Sequence, residues 1–104
     1  MNIGDYVYIY LFELEKTIVN MKQLRNDRFG IIIDKNIIKC NNGESILSYK
    51  IKLLYNDNVI EYKANNLSTN IITLYDLIAL INDSNLNEEN KDKLLSQIHN
   101  VVEK

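Results

Sequence analysis

One cysteine and one histidine, Cys40 and His99, are the side chains best suited to nucleophilic chemistry in this 104-residue sequence. A thiolate and an imidazole act as nucleophile and base when a third group orients the imidazole. His99 borders the apolar stripe of a predicted helix, which favours a partly buried packing role. Cys40 has only Lys39 as a basic neighbour in sequence, which favours an unreactive thiol. We therefore predict that the chain is not an enzyme, with an adjacent Cys40–His99 pair as the alternative.

The sequence also contains no motif for a metal site, a phosphate-binding loop or an acid–base pair. A structural zinc site requires four Cys or His ligands, and the chain has two such residues. Its three glycines form neither a P-loop nor a G-x-G-x-x-G motif. Glu88, Glu89 and Asp92 cluster at the start of a predicted helix, where negative charge complements the helix dipole. We expect no catalytic residue, no bound metal and no cofactor.

Basic residues are the first candidate binding surface. The set consists of Lys22, Arg25, Arg28, Lys50, Lys52 and Lys63. Its last three members share the outward face of a predicted sheet, and phosphate binding there would be salt-dependent because it releases counterions. Asp34 and Glu61 lie on the same predicted face and offset part of the charge, so a solvated sheet surface is the alternative.

Apolar and tyrosine side chains are the second candidate surface. The set consists of Tyr6, Tyr8, Tyr10, Ile32, Leu54 and Val59. The three aliphatic members are predicted to point to the solvent side of the sheet and to leave a partly exposed patch. The tyrosines combine an apolar body with a polar tip, as interface anchors do. A partner protein, a second copy of the chain or the N-terminal segment could cover the patch, and alternate tyrosines could instead pack in the core.

The elements that position these residues are clearest in the middle of the chain. Residues 47–55 and 59–64 alternate apolar and polar side chains, the period of a half-buried strand. A two-residue turn at 56–57 would pair Ile51 with Tyr62, and a slip of one residue would turn every apolar side chain outward.

A second hairpin precedes this one. A three-residue loop at Asn41-Asn42-Gly43 places glycine where the left-handed conformation is required. This closure pairs Ile33 with Ile51 and leaves one apolar face. Residues 29–65 are therefore predicted to form a three-stranded antiparallel meander.

The C-terminal part is predicted to be helical. Thr73 and Asp76 resemble a capping box at the start of one helix, and Asn87 can cap a second. We expect an αα-hairpin in residues 69–104 that covers the apolar face of the sheet. Together with a β-rich part in residues 1–68, it would form a single α+β domain.

The N-terminal segment allows two interpretations. Residues 6–12 are rich in aromatic and β-branched side chains, which favours a strand and a closed β-barrel. Val7, Leu11 and Leu14 also fall at helical spacing, which would give an α-β-β-β-α-α order. We favour the strand, followed by a long connection.

With a strand at this position, the pattern resembles SH3-like small barrels of the Tudor or KOW type. The resemblance rests on Gly4-Asp5-x-Val7, Phe29-Gly30-x-Ile32 and Tyr49-x-Ile51-x-Leu53, and it covers roughly residues 4–68. It implies a fold that usually binds peptides, methylated side chains or nucleic acid and seldom catalyses. No binding residue carries over, because the stretch 6–28 is longer than in these domains and the tyrosines form no assignable aromatic cage.

Composition limits the class of protein further. A net charge of −2, 46% hydrophobic and 25% charged residues exclude a disordered tail and a histone-like protein. A single cysteine suggests a reducing cytoplasm, and no apolar run reaches the roughly 18–20 residues of a membrane span. Sixteen Asn and sixteen Ile indicate an AT-rich genome.

These observations together predict a non-enzymatic protein-binding module. It could be a small phage or mobile-element accessory protein that inhibits or adapts a host protein. A homodimer is also possible. The alternative is a nucleic-acid-binding small barrel that uses the basic sheet face.

Overall fold

The computed structural model describes residues 1–11, 24–64 and 69–103 as five strands and two helices. The elements are β1 (Tyr6–Leu11), β2 (Phe29–Lys39), β3 (Ser45–Leu53), β4 (Val59–Lys63), β5 (Thr69–Thr73), α1 (Leu74–Asn82) and α2 (Glu88–Val102). A short 3-10 helix, Asn26–Arg28, precedes β2. The predictions of an α+β fold and of an N-terminal strand are confirmed. The β-rich part extends to Thr73, beyond the predicted boundary at residue 68.

All five strands belong to one antiparallel sheet in the order β4-β3-β2-β1-β5. In a flat sheet, strands β4 and β5 would lie about 19 Å apart. The Tyr62 hydroxyl on β4 nevertheless lies 3.5 Å from Asn70 Oδ1 on β5, so the sheet curls. The described residues of these strands form no ladder with each other, and the sheet is therefore open rather than the closed barrel predicted.

Two hydrophobic clusters lie on opposite faces of this sheet. The inner cluster lies on the concave face and contains Val7, Ile9, Ile32, Tyr49, Ile51 and Tyr62. The outer cluster lies between the sheet and the helices and contains Tyr8, Leu24, Phe29, Leu74, Leu77, Ile81, Leu94 and Ile98. The helices were expected on the face that carries Ile51, and this expectation is wrong. They cover the opposite face, and Ile51 is buried in the inner cluster.

The β2–β3 hairpin follows the prediction at its turn and departs from it near β1. Gly43 has a φ of 84°, and Cys40 and Glu44 close the three-residue loop with a 2.8 Å backbone hydrogen bond, as expected. The pairing then shifts by one residue at a bulge between Ile32 and Asp34. Ile32, not Ile33, therefore lies opposite Ile51 in the core.

The β3–β4 connection is longer than the two-residue turn predicted. Leu53 donates to the Asn58 carbonyl at 2.8 Å, which leaves residues 54–57 in the loop. Asp57 has a φ of 60°, a left-handed conformation that Asp tolerates better than most residues. The register differs from the predicted one by two residues, so Tyr62 pairs with Tyr49 instead of Ile51. Because side chains alternate between the two faces of a strand, a shift of two residues leaves each side chain on the predicted face of the sheet.

Both helices begin where their capping residues predicted. The Thr73 hydroxyl accepts a hydrogen bond from Asp76 N at 3.2 Å, and Asn87 Oδ1 accepts one from Asn90 N at 2.8 Å. Each cap satisfies a backbone donor that the helix itself leaves unpaired. Neither helix is long and apolar enough to cross a membrane, and the described part of the chain contains no other α-helix.

Candidate functional site

A groove of about 1150 Å³ runs between α2 and the β3–β4 loop. Its apolar lining comes from four parts of the chain and consists of Tyr6, Ile31, Leu54, Tyr55, Val101 and Val102. Polar and charged side chains from α2 and from the hairpin form its two walls. A lining that combines apolar side chains with polar ones is common on protein-binding surfaces.

The α2 wall presents one face of the helix. Its polar and charged members are Glu89, Asp92, Lys93, Ser96, Gln97 and Asn100. Most of these positions are three or four residues apart, so their side chains neighbour one another on the helix surface. The Lys93 ammonium lies 3.4 Å from the Glu89 carboxylate. Asp92 is exposed and makes no ion pair with another described residue.

The opposite wall is shaped by the four-residue loop. Leu54 N donates to the Phe29 carbonyl at 3.0 Å, which joins the loop to β2. The Leu54 side chain packs against the outer cluster, so this wall is attached to the core. Lys52 Nζ lies 3.7 Å from Asp57 Oδ1, and Tyr55 is 71% exposed. Tyr55 is thus an exposed aromatic side chain on a supported wall.

Gln97 fixes α2 to the chain segment that precedes the 3-10 helix. Its Oε1 accepts a hydrogen bond from Leu24 N at 2.8 Å, and its Nε2 donates to Leu24 O at 2.6 Å. The same Nε2 lies 2.8 Å from Asn26 Oδ1, which also lines the groove. One carboxamide therefore holds both backbone groups of Leu24 and joins this segment to α2 beside the groove.

The three predicted tyrosine anchors lie on the face of the sheet that carries the helices. Tyr8 is 4% exposed, contacts Phe29 edge to face and accepts a hydrogen bond from Arg25 N at 3.2 Å. Burial raises the pKa of the Tyr8 phenol. Tyr6 and Tyr10 are partly buried against the outer cluster, and Tyr6 also lines the groove. The expectation of a surface anchor is therefore wrong for Tyr8, which is a core residue.

The three predicted aliphatic residues lie in three different places. Ile32 is fully buried in the inner cluster, so its expected position on a solvent-facing patch is wrong, and the bulge is the reason. Val59 is 53% exposed on β4. Leu54 lines the groove. The structure does not bring these residues together as one patch.

The predicted basic set is only partly brought together. Lys50, Lys52 and Lys63 are exposed and share the outer face of β3 and β4, as expected. Lys22 lies outside the described residues. Acidic partners accompany most of the others: Arg25 with Asp27 at 3.0 Å, Lys52 with Asp57 at 3.7 Å, Lys63 with Glu61 at 3.9 Å, and Lys50 opposite Asp34 and Glu61. Arg28 is partly buried at the end of the 3-10 helix.

Cys40 and His99 are not joined by a hydrogen bond in the structure. Cys40 is partly buried beside the β2–β3 turn. His99 was expected to be partly buried, but its side chain is 67% exposed and lies 3.1 Å from the Glu103 carboxylate. Over residues 1–11, 24–64 and 69–103, no three His, Cys, Asp or Glu side chains gather in a group that could hold a metal ion.

Sequence reasoning missed the groove itself. Glu89 and Asp92 were assigned to the helix dipole, and Tyr55 was placed in the strand of residues 47–55. The signal for Tyr55 is the polar run Asn56-Asp57-Asn58 that follows it, because these residues favour loops and tolerate left-handed backbone. A loop at these positions places Tyr55 outside the sheet.

Comparisons with protein-family models, curated proteins and solved structures gave no match to this chain. The candidate site therefore rests on its own geometry.

Proposed function

We propose that this chain is a non-enzymatic protein-binding module that holds its partner in the groove between α2 and the β3–β4 loop. The observation that carries the proposal is the groove, with an apolar lining, polar walls and the exposed Tyr55. Tyrosine is favoured at such positions because it buries a large area and loses little conformational entropy on binding.

Composition extends this proposal to a cellular role. The small size, and the many Asn and Ile residues that AT-rich genes encode, fit an accessory protein of a phage or mobile element that inhibits or adapts a host protein. The single cysteine fits a reducing cytoplasm. The resemblance to SH3-like barrels stays a prediction, and it agrees with binding rather than catalysis.

Nucleic-acid binding is the second candidate function. It is favoured by the exposed face that Lys50, Lys52 and Lys63 share. The acidic residues close to these lysines reduce the positive potential that phosphates would meet. Titration with labelled DNA and RNA at increasing salt tests this function, because phosphate contacts give affinities that fall steeply with ionic strength. Absence of binding at low salt would remove it.

Comparative capture from the native host tests protein binding. The bait is the full chain, and the matched variants are Tyr55→Ala in the groove and Tyr75→Ala on α1, where Tyr75 is 83% exposed and outside the groove. We expect nuclease-resistant capture of a protein that Tyr55→Ala loses and Tyr75→Ala retains. Titration with that purified protein should show affinity about tenfold weaker for Tyr55→Ala, equivalent to about 1.4 kcal/mol.

Two results would contradict the proposal. One is capture that both tyrosine variants retain equally, because binding would then lie elsewhere on the surface. The other is concentration-dependent sedimentation of the purified chain as a dimer that Tyr55→Ala dissociates, because the groove would then be a homodimer contact.

A further inference from the structure

We propose that the groove binds an extended segment of the partner, about six residues long, in which a bulky apolar side chain contacts Leu54 and a lysine or arginine pairs with Asp92. This inference rests on the proposed function and defines the chemistry of the partner. It is carried by the size of the groove, by a contact already present within the chain, and by the charges on its walls.

The length of the groove fits a short extended segment. The groove follows α2 from Glu89 to Val102, a length of about 20 Å at the helical rise. An extended chain rises about 3.3 Å per residue, so about six residues span this length.

The chain already holds one of its own segments in this manner. Gln97, which lines the groove, binds the backbone N–H and C=O of Leu24, and the Leu24 side chain is buried in the outer cluster. The next residue, Arg25, has extended backbone angles. Ser96 and Asn100 are exposed, line the groove on either side of Gln97 in sequence, and offer similar donors and acceptors. A second extended segment can therefore use the same kind of contact with these two side chains.

The charges favour a basic residue in that segment. The described lining contains three carboxylates and two ammonium groups. Lys93 lies beside Glu89 and Lys52 beside Asp57, which leaves Asp92 without a basic partner among the described residues. A guanidinium or ammonium group at Asp92 would balance the groove, whereas an acidic segment would place like charges together. Leu54 supplies the apolar contact.

Selection from a phage-displayed library of random linear peptides tests this inference with the full chain as target. We expect enriched peptides to carry a bulky apolar residue close to a lysine or arginine. The strongest peptide is then synthesised with a fluorescent label, and its affinity is measured by anisotropy for each variant. Asp92→Lys should weaken binding at least about tenfold, and Asp92→Asn should weaken it less.

The matched control is Asp83→Lys, the same charge change at an exposed position between the helices and outside the groove. It should alter the affinity less than about twofold. Circular dichroism of each variant checks that the helices are intact. Ser96→Trp provides a second test, because it obstructs the groove from an exposed position without changing charge.

The outcomes separate this inference from the proposed function. If Tyr55→Ala and Ser96→Trp abolish peptide binding but Asp92→Lys does not, the basic partner is wrong and the groove remains a protein-binding site. Tighter binding of the same peptide after it is stapled as a helix would overturn the extended conformation. A selection that yields no groove-dependent peptide would overturn the inference, while capture from the host decides the proposed function separately.

Discussion

The outer and inner clusters lie on opposite faces of the same sheet, and the described residues build them differently. In the outer cluster, α1 and α2 place Leu77, Ile81 and Leu94 over the sheet residues Tyr8 and Phe29. In the inner cluster, every described member belongs to a strand. Among the described residues, the first cluster is therefore a contact between helices and sheet, and the second is a contact among the strands of the sheet.

This difference gives β2 a double role. Phe29 packs in the outer cluster and Ile32 in the inner cluster, both with no exposed area. Beyond the bulge, the distal part of the hairpin continues with Ile37 68% exposed. A bulge bends a strand and increases its twist. We infer that the bulge between Ile32 and Asp34 helps the sheet to curl over the inner cluster.

The largest expected effect comes from two neighbouring residues of β2. Ile32→Ala should reduce the free energy of unfolding by about 2–5 kcal/mol, because it leaves a cavity in the inner cluster. Ile33→Ala should cost less than about 1 kcal/mol, because Ile33 is 41% exposed. Urea denaturation followed by circular dichroism measures both values. The reverse order would show that Ile33 faces the core and that the bulge is absent.

The same bulge marks the limit of what the sequence could predict about the fold. The caps at Thr73 and Asn87 and the turn at Gly43 depend on nearby residues, and all three were predicted. The run Ile31-Ile32-Ile33 offers an apolar side chain in either register. The choice between registers depends on packing against neighbouring strands, and the local pattern does not contain that information.

The groove was beyond prediction for a related reason. Its walls come from α2 and from a loop whose length depends on the left-handed conformation of Asp57. A shorter turn at this point keeps Tyr55 in the strand, as the alternating pattern suggested. The sequence could identify the candidate side chains but not their distance from one another, because that distance follows from helix docking on the outer cluster.

The next effect tests how closely β2 and β3 approach each other in the inner cluster. A Cβ atom at Gly30 would collide with the Ile51 Cγ2 methyl group and lie 3.1 Å from the Lys52 carbonyl oxygen. Gly30→Ala should therefore cost about 1–3 kcal/mol. Adding Ile51→Leu, which removes the Cβ branch, should recover part of this loss in a double-mutant cycle. Additive effects would show that Gly30 and Ile51 do not meet.

A smaller effect tests how the outer cluster is attached to the segment before β2. Gln97→Glu keeps the shape of the side chain but replaces the amide donor to Leu24 O and Asn26 with a second acceptor. We expect a loss of about 1–2 kcal/mol at neutral pH. The loss should shrink as the pH falls toward about 4.3, the ordinary pKa of Glu, because a protonated Glu can donate again.

Asn100→Asp is the matched control for this change on the same helix. Asn100 is exposed and makes no hydrogen bond with Leu24. Urea denaturation at neutral and acidic pH should show little loss for this variant at either pH. An equal loss in the two variants would mean that Gln97→Glu acts through helix charge and not through the Leu24 contact.

The smallest effect compares one tyrosine from each cluster at alkaline pH. Burial raises the pKa of Tyr8 in the outer cluster and of Tyr62 in the inner cluster above the ordinary value of 10.0. The folded state therefore retains a phenolic proton that the unfolded chain releases. The resulting contribution to stability is complete below about pH 10 and is lost as the pH rises through each raised value.

Tyr8→Phe and Tyr62→Phe should each make the unfolding free energy less dependent on pH above 10. At neutral pH, Tyr8→Phe should cost about 1 kcal/mol, because Arg25 N loses its acceptor. Urea denaturation of both variants and the native chain between pH 8 and 11 measures these differences. The contradicting result is that Tyr8→Phe still loses as much unfolding free energy above pH 10 as the native chain does, while Tyr62→Phe loses less. The Tyr8 hydroxyl would then be open to solvent, and the outer cluster would be less tightly packed around it than the structure indicates.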